Sequence, residues 1–180
     1  MKIIQHVERP VAVQTIFVEA EVENLNCQYF IDKIEEALKL ENNMTQLTNV
    51  KGKMTDWTTF LQDPILTELF WKFFTSLDYD FNYHIECNNA WGIKMEEGNY
   101  TKVHDHALSR WSSILYLTDS QTPIIFPELN KSIFPRKGLL LFFNGFLKHK
   151  TPRIKKGEVK YALPCNFNES IPPHYNKNLK

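Results

Sequence analysis

The chain has 180 residues, of which 43% are hydrophobic and 13% aromatic, and its 21 basic residues balance its 21 acidic ones. This length suits one domain over residues 1–180 with a sizeable core, and the composition excludes intrinsic disorder. The charge balance provides no bulk attraction to nucleic acid or to an anionic membrane. No apolar stretch of the sequence is long enough to span a bilayer.

Cysteine content and the first residues of the sequence predict the cellular compartment. The three cysteines, Cys27, Cys87 and Cys165, are odd in number, widely spaced and without a Cys-x-x-Cys motif. This usage is typical of free, buried thiols in a reducing compartment. Residues 1–6 lack the apolar core of a signal peptide. We therefore expect a cytoplasmic protein.

The first half of the chain predicts one strand and two helices. Residues 11–18 are rich in β-branched side chains and predict a strand. Apolar residues recur with the helical period from about 26 to 40. A second helix is predicted after Asp63, which can cap it, with Pro64 in its first turn. The polar stretch 41–57 between the two helices predicts a loop.

After residue 78 the chain becomes rich in β-branched and aromatic residues, and turn signals separate the runs. The predicted strands cover 81–87, 90–96, 100–106, 110–117, 124–126, 139–143 and 159–167. Helices followed by an all-β half predict an α+β, mainly β fold. The helical segment, about 24–78, would support one sheet of a barrel whose core covers about 81–168.

Three histidines form the most informative pattern of the sequence. His104 and His106 lie two apart on a predicted strand, so their side chains point to the same face of the sheet. His149 follows an apolar strand and can complete a three-ligand metal site with open positions. Asp105 should point to the opposite face unless a bulge turns it inward. A structural role is expected for the other three histidines, His6, His84 and His174.

The span from about Trp91 to Phe167 resembles the prolyl-4-hydroxylase-like branch of the Fe(II)/2-oxoglutarate oxygenases, including its uncharacterised bacterial and phage members. The resemblance implies a double-stranded β-helix, a jelly-roll or cupin-like barrel, with N-terminal helices against one sheet. The matching segments are Trp91 and Gly98 before His104-x-His106, the strand Arg110–Leu117, the run Gly138–Phe143 before His149, and Lys160–Leu163.

The resemblance implies that His104, His106 and His149 are the catalytic metal ligands. The usual ligand set of this superfamily has a carboxylate at the position of His106. The implied cofactors are Fe(II), 2-oxoglutarate as co-substrate and O₂. The implied activity is a 2-oxoglutarate-dependent dioxygenase that hydroxylates a small molecule or peptide, with free or peptidyl proline as the candidate acceptor.

The same resemblance assigns the remaining site residues. Lys160 stands where the family places the arginine that binds the far carboxylate of 2-oxoglutarate, and Arg153 is an alternative for this role. Tyr116 matches the tyrosine that hydrogen-bonds the same carboxylate. Arg110 matches a position that lines the substrate mouth in prolyl hydroxylases. Trp111 is a second candidate for substrate binding, as the floor of the pocket, and its alternative role is packing in the core.

Two other function classes stay open at this stage. A cupin-like metal-binding protein without 2-oxoglutarate chemistry fits the spacing of Gly98 and His104-x-His106, although Arg110 stands where a cupin glutamate is expected. A catalytically silent barrel used for binding fits the missing acidic ligand. The expected partner is a small-molecule or peptide substrate, with no strong nucleic-acid signal and no membrane partner, and the oligomeric state is open.

Overall fold

The structure is a computed structural model that describes residues 15–40, 48–77 and 84–170. These residues contain two α-helices, α1 (Cys27–Leu40) and α2 (Pro64–Ser76), and a short 3₁₀ helix, Pro127–Leu129. They also contain twelve strands: β1 (Phe17–Glu21), β2 (Val50–Lys51), β3 (Lys53–Met54), β4 (His84–Ala90), β5 (Ile93–Met95), β6 (Tyr100–His104), β7 (Trp111–Tyr116), β8 (Ile124–Phe126), β9 (Lys131–Ile133), β10 (Leu139–Asn144), β11 (His149–Thr151) and β12 (Lys160–Ser170).

Both predicted helices are confirmed, and their local sequence explains where they begin. Asp63 caps α2, because its side chain accepts hydrogen bonds from the backbone N–H groups of Ile65 and Leu66 at 3.0 and 3.1 Å. Pro64 occupies the first helical position, where its missing N–H has no cost. The buried residues of α1, Cys27, Phe30 and Ile34, follow the helical period.

The strands form two antiparallel sheets. The larger sheet has the order β1-β10-β7-β12-β5-β3, with β4 also paired to β12, and the smaller sheet has the order β2-β6-β11-β8-β9. β12 therefore pairs with β7, β4 and β5. This arrangement confirms the α+β, mainly β prediction.

Alternation along the central strands separates two apolar layers. One layer lies between the larger sheet and the helices, where Phe142 of β10 joins Phe30 of α1 and Phe70 of α2. The other lies between the two sheets, where Phe143 of β10 joins Phe126 of β8. The two sheets therefore face each other as a sandwich, and the helices cover the outer face of the larger one.

Four short strands, β2, β3, β9 and β11, have no counterpart in the sequence prediction, because two or three residues carry no detectable period. β2 and β3 lie in the stretch predicted as a loop, whose residues 41–47 are outside the described residues. The first strand begins at Phe17, later than predicted, and residues 11–14 are likewise outside the described part. Neither helix has the length and apolar character needed to cross a membrane.

Candidate metal centre

The structure brings His104, His106 and His149 together at one end of the space between the sheets. His104 on β6 and His149 on β11 are directly paired across adjacent antiparallel strands, and their ring centroids lie 4.4 Å apart. The ring of His106 lies 5.1 Å from that of His104 and 5.3 Å from that of His149. One ring nitrogen from each histidine lies within 4.8 Å of the others, a separation that one metal ion can bridge.

His106 lies in a tight turn after β6, and not on the predicted strand. β6 ends at His104, and the backbone N–H of His106 donates to the carbonyl of Gly145 at 2.7 Å. A Cβ atom at Gly145 would lie 2.1 Å from the backbone oxygen of Ser109, so this contact requires glycine. The turn after β10 therefore holds the turn after β6 in place.

All three histidines are neutral at physiological pH. Burial lowers the pKa of His104, and it lowers the pKa of His106 to about 4 and that of His149 to about 3, with a smaller contribution from the neighbouring histidines. Neutral imidazole is the form that binds metal. The cluster is therefore uncharged before any metal arrives.

Backbone carbonyls select the metal-binding nitrogen in two of the three rings. Nδ1 of His104 lies 2.8 Å from the carbonyl oxygen of Lys102, and Nδ1 of His149 lies 3.0 Å from that of Leu147. A carbonyl oxygen only accepts, so Nδ1 carries the proton and Nε2 keeps a free lone pair. Such carbonyl contacts are typical of metal-bound histidines. Three imidazole donors suit iron, nickel, copper or zinc.

The free energy of unfolding of the metal-free protein should fall between pH 7 and pH 5. The unfolded chain binds protons on His106 and His149 below the ordinary pKa of 6.5, whereas the folded protein does so only near pH 4 and 3. Stability is therefore lost as the pH falls, by about 2 kcal/mol for each histidine at pH 5. Urea unfolding in the presence of a chelator measures this loss. The His149→Leu variant should lose about 2 kcal/mol less than the wild type over the same interval, and an equal loss would contradict the prediction.

The histidines open into a cavity of about 290 Å³ between the two sheets. Lys160, at the start of β12, lines this cavity and is 2% exposed. Its Nζ lies 3.4 Å from Oγ1 of Thr151 and 5.7 Å from the centre of the Tyr116 ring. Burial lowers the pKa of Lys160 to about 8, so at pH 7 the side chain is still mostly a cation.

This buried cation is suited to an anionic ligand. No ion pair joins Lys160 to a carboxylate among the described residues, and its hydrogen bond to Thr151 is long. A buried charge is costly unless it is paired, and a carboxylate that enters the cavity would supply the pair. Tyr116, whose pKa burial raises, lines the same wall as Lys160.

Arg153 lies outside this cavity. Its guanidinium group donates to the carbonyl of Gly98 at 3.0 Å and stacks on the ring of Tyr100 at 4.7 Å, and the side chain is exposed. Asp105 lines the mouth of the cavity, but its Oδ1 accepts a hydrogen bond from the backbone of Ala107 at 3.2 Å. The three histidines therefore form the ligand cluster without Asp105.

Arg110 and Trp111, predicted to bind substrate, do not line the cavity. Arg110 is exposed, and its Nε lies 3.5 Å from a carboxylate oxygen of Glu169. Trp111 is 1% exposed and stacks on Phe142 in the layer that faces the helices. Strand alternation is the reason for Trp111, because the residues of β7 that face the cavity are Ile114 and Tyr116. Arg110 lies just before β7 begins. Trp111 therefore packs in the core, and substrate binding by Arg110 stays a prediction.

Several cavity residues were not predicted as site residues. Trp57 and Trp91 form an edge-to-face pair, with ring centroids 4.6 Å apart, on the cavity wall. β12 presents Lys160, Ala162 and Pro164 to the cavity. The next residue with the same orientation, Asn166, reaches the ring of His106. Only alternation along the predicted strand could have indicated Asn166, since an asparagine there carries no motif.

No protein-family model and no curated protein matches the sequence. Solved structures match instead. The viral collagen prolyl hydroxylase of Paramecium bursaria Chlorella virus-1, solved with 2-oxoglutarate, has 15% identity and a TM-score of 0.67 over 86% of this chain and 96% of its own. HygX of Streptomyces hygroscopicus, with nickel and 2-oxoglutarate bound, has 10% identity and a TM-score of 0.62 over 86% and 82%.

The α-ketoglutarate-dependent epimerase SnoN of nogalamycin biosynthesis has 10% identity and a TM-score of 0.66, over 84% of this chain and 76% of its own. The viral hydroxylase structure contains 2-oxoglutarate and the HygX structure contains nickel and 2-oxoglutarate, and the present chain has a histidine cluster that could bind a metal. At such low identities the likeness concerns architecture. The chain has the fold of non-haem, 2-oxoglutarate-dependent oxygenases.

Proposed function

We propose that this chain is a non-haem Fe(II)/2-oxoglutarate-dependent dioxygenase, a single double-stranded β-helix domain that hydroxylates its substrate. One observation carries the proposal. A single cavity holds three neutral histidines at one end and a buried cation, Lys160, on its wall. A dianionic 2-oxo acid needs a metal for its keto-acid end and a cation for its far carboxylate.

The residues have separate roles in this proposal. His104, His106 and His149 hold Fe(II) through Nε2. Lys160 binds the far carboxylate of 2-oxoglutarate, with Thr151 and Tyr116 beside it. With 2-oxoglutarate and O₂, the iron supplies oxidative cleavage of a substrate C–H bond, and 2-oxoglutarate leaves as succinate and carbon dioxide.

The all-histidine ligand set has an electrostatic consequence. Three imidazoles leave the two positive charges of Fe(II) uncompensated, whereas the usual ligand set supplies one carboxylate. Lys160 adds a further positive charge in the same cavity. The two negative charges of 2-oxoglutarate compensate this excess, so metal and co-substrate should each bind more tightly in the presence of the other.

The outer part of the cavity would receive the substrate. Trp57 and Trp91 provide an apolar aromatic wall of the cavity, and the exposed Asp105 lies at its mouth. A cavity of about 290 Å³ that also holds 2-oxoglutarate leaves space for one small group. Proline, free or within a peptide, fits this space, and the likeness to a collagen prolyl hydroxylase supports it as the first substrate to test.

The decisive experiment is the visible absorption spectrum of the protein mixed anaerobically with Fe(II) and 2-oxoglutarate. Bidentate binding of the keto acid to Fe(II) produces a charge-transfer band, which should be absent when succinate replaces 2-oxoglutarate. A protein that binds Fe(II) without this band would be a cupin-like metal protein. A protein that binds no metal would be a silent barrel.

A further inference from the structure

Asn166 contacts the one histidine of the cluster that lacks a backbone acceptor on Nδ1. It is 6% exposed, and its Nδ2 lies 3.4 Å from Nδ1 of His106. On its other side, Oδ1 of Asn166 accepts from Oγ of Ser112 at 3.0 Å. The hydroxyl of Ser112 is fully buried and also lies 3.4 Å from the backbone carbonyl oxygen of Cys165.

With the amide in this orientation, the proton position of His106 differs from that of the other two rings. An amide N–H that donates to Nδ1 requires Nδ1 to be unprotonated, so the proton of the neutral ring lies on Nε2. Nε2 then has no lone pair for a metal. The carbonyls of Lys102 and Leu147 keep the proton of His104 and His149 on Nδ1, and those two rings are ready to bind.

We propose that Asn166 is a positioning residue for the metal: its amide turns by half a rotation when metal binds, so that Oδ1 accepts from Nδ1–H of His106. This inference rests on the proposed metal site. The turn moves the proton of His106 from Nε2 to Nδ1 and frees Nε2 for the ion. Metal binding is thereby coupled to the hydrogen-bond network behind the ligand.

The surroundings of Asn166 accommodate both orientations without an unpaired group. A half-turn of the planar amide exchanges oxygen and nitrogen and leaves the shape unchanged. Nδ2 then donates to Oγ of Ser112, whose own hydrogen donates to the carbonyl of Cys165. Asn166 and Ser112 are paired positions of β12 and β7, so the backbone fixes their separation. Ser112 therefore pairs with the Asn166 amide in either orientation, as a donor to Oδ1 or as an acceptor from Nδ2.

The first test compares Fe(II) affinities measured anaerobically by competition with a chelator. Asn166→Leu removes the acceptor while keeping the branched side-chain skeleton and should weaken Fe(II) binding about 10- to 100-fold. Asn166→Asp keeps an acceptor for Nδ1–H and should bind within a few-fold of the wild type. The matched control is Asn168→Leu, two residues further along β12, because the side chain of Asn168 accepts from the backbone N–H of Arg110 and Asn168 does not line the cavity.

The second test follows the proton itself in the wild-type protein. Nitrogen-15 NMR of the imidazoles, with and without Zn(II) as a diamagnetic probe, should show the proton of His106 on Nε2 in the metal-free protein and on Nδ1 in the loaded one. His104 and His149 should keep theirs on Nδ1 throughout. An unchanged His106 tautomer, or wild-type Fe(II) affinity in Asn166→Leu, would overturn the inference. A wild-type protein that binds neither ion would instead refute the proposed function.

Discussion

Replacing His149 by alanine should abolish Fe(II) binding and, with it, the charge-transfer band of the Fe(II)–2-oxoglutarate complex. His149 is 3% exposed and lies opposite His104 across the β6–β11 pair, where it supplies one of the three ring nitrogens of the cluster. Loss of an outer hydrogen-bond partner costs about 10- to 100-fold in metal affinity. Loss of a ligand should weaken Fe(II) binding by more than about 100-fold.

The measurements are Fe(II) affinity by chelator competition and the anaerobic visible spectrum. Lys150→Ala is the matched control, since Lys150 is the next residue of β11 and does not line the cavity. This control should bind Fe(II) and 2-oxoglutarate like the wild type. A His149→Ala protein that keeps the band would exclude the three-histidine site.

The Lys160→Met variant should bind 2-oxoglutarate at least about 30-fold more weakly, because removal of one partner of a buried ion pair costs about 2 kcal/mol or more. The same variant should be more stable than the wild type when no co-substrate is present. Burial lowers the pKa of Lys160 from 10.5 to about 8. At pH 7 the charged side chain is therefore less stable in the folded protein than in the unfolded chain. Removing that charge should raise the free energy of unfolding by about 1–3 kcal/mol.

These opposite effects separate a binding role from general damage to the fold. Titration of the charge-transfer band with 2-oxoglutarate gives the affinity, and urea unfolding gives the stability. Arg153→Met tests the alternative cation and should change neither, because Arg153 contacts Gly98 and Tyr100 outside the cavity. If Arg153→Met weakens co-substrate binding and Lys160→Met does not, the assignment of Lys160 is wrong.

Strong periodic signals made much of the fold predictable. The apolar face of α1 and the Asp63 cap of α2 specify their helices locally, and the predicted strand 124–126 agrees with β8. Short strands such as β2 and β11 depend on partners far away in the chain, so local sequence could not show them. The same limit explains why the predicted strand 100–106 was too long at its end, where the turn of His106 depends on Gly145.

The candidate site was partly predictable for a similar reason. Three histidines at a suitable spacing indicated a metal cluster, and the structure brings them together. The contacts of Trp111 depend on which face of β7 turns toward the helices, and those of Arg110 depend on the segment before that strand. The resemblance did not settle either question. Asn166 and Ser112 become visible only once β12 and β7 are paired.

β12 has one more consequence for the chemistry of the cavity. Its alternate residues run from the cation Lys160, past Ala162 and Pro164, to Asn166 behind a metal ligand. A central strand with partners on both sides fixes the distance between these side chains, because it holds them more precisely than a loop does. The fold itself would therefore select the chain length of the keto acid. A single-residue insertion before Asn166 would turn either Lys160 or Asn166 to the opposite face of the sheet. The residue that binds the far carboxylate and the residue that positions the metal ligand would then no longer face the same cavity.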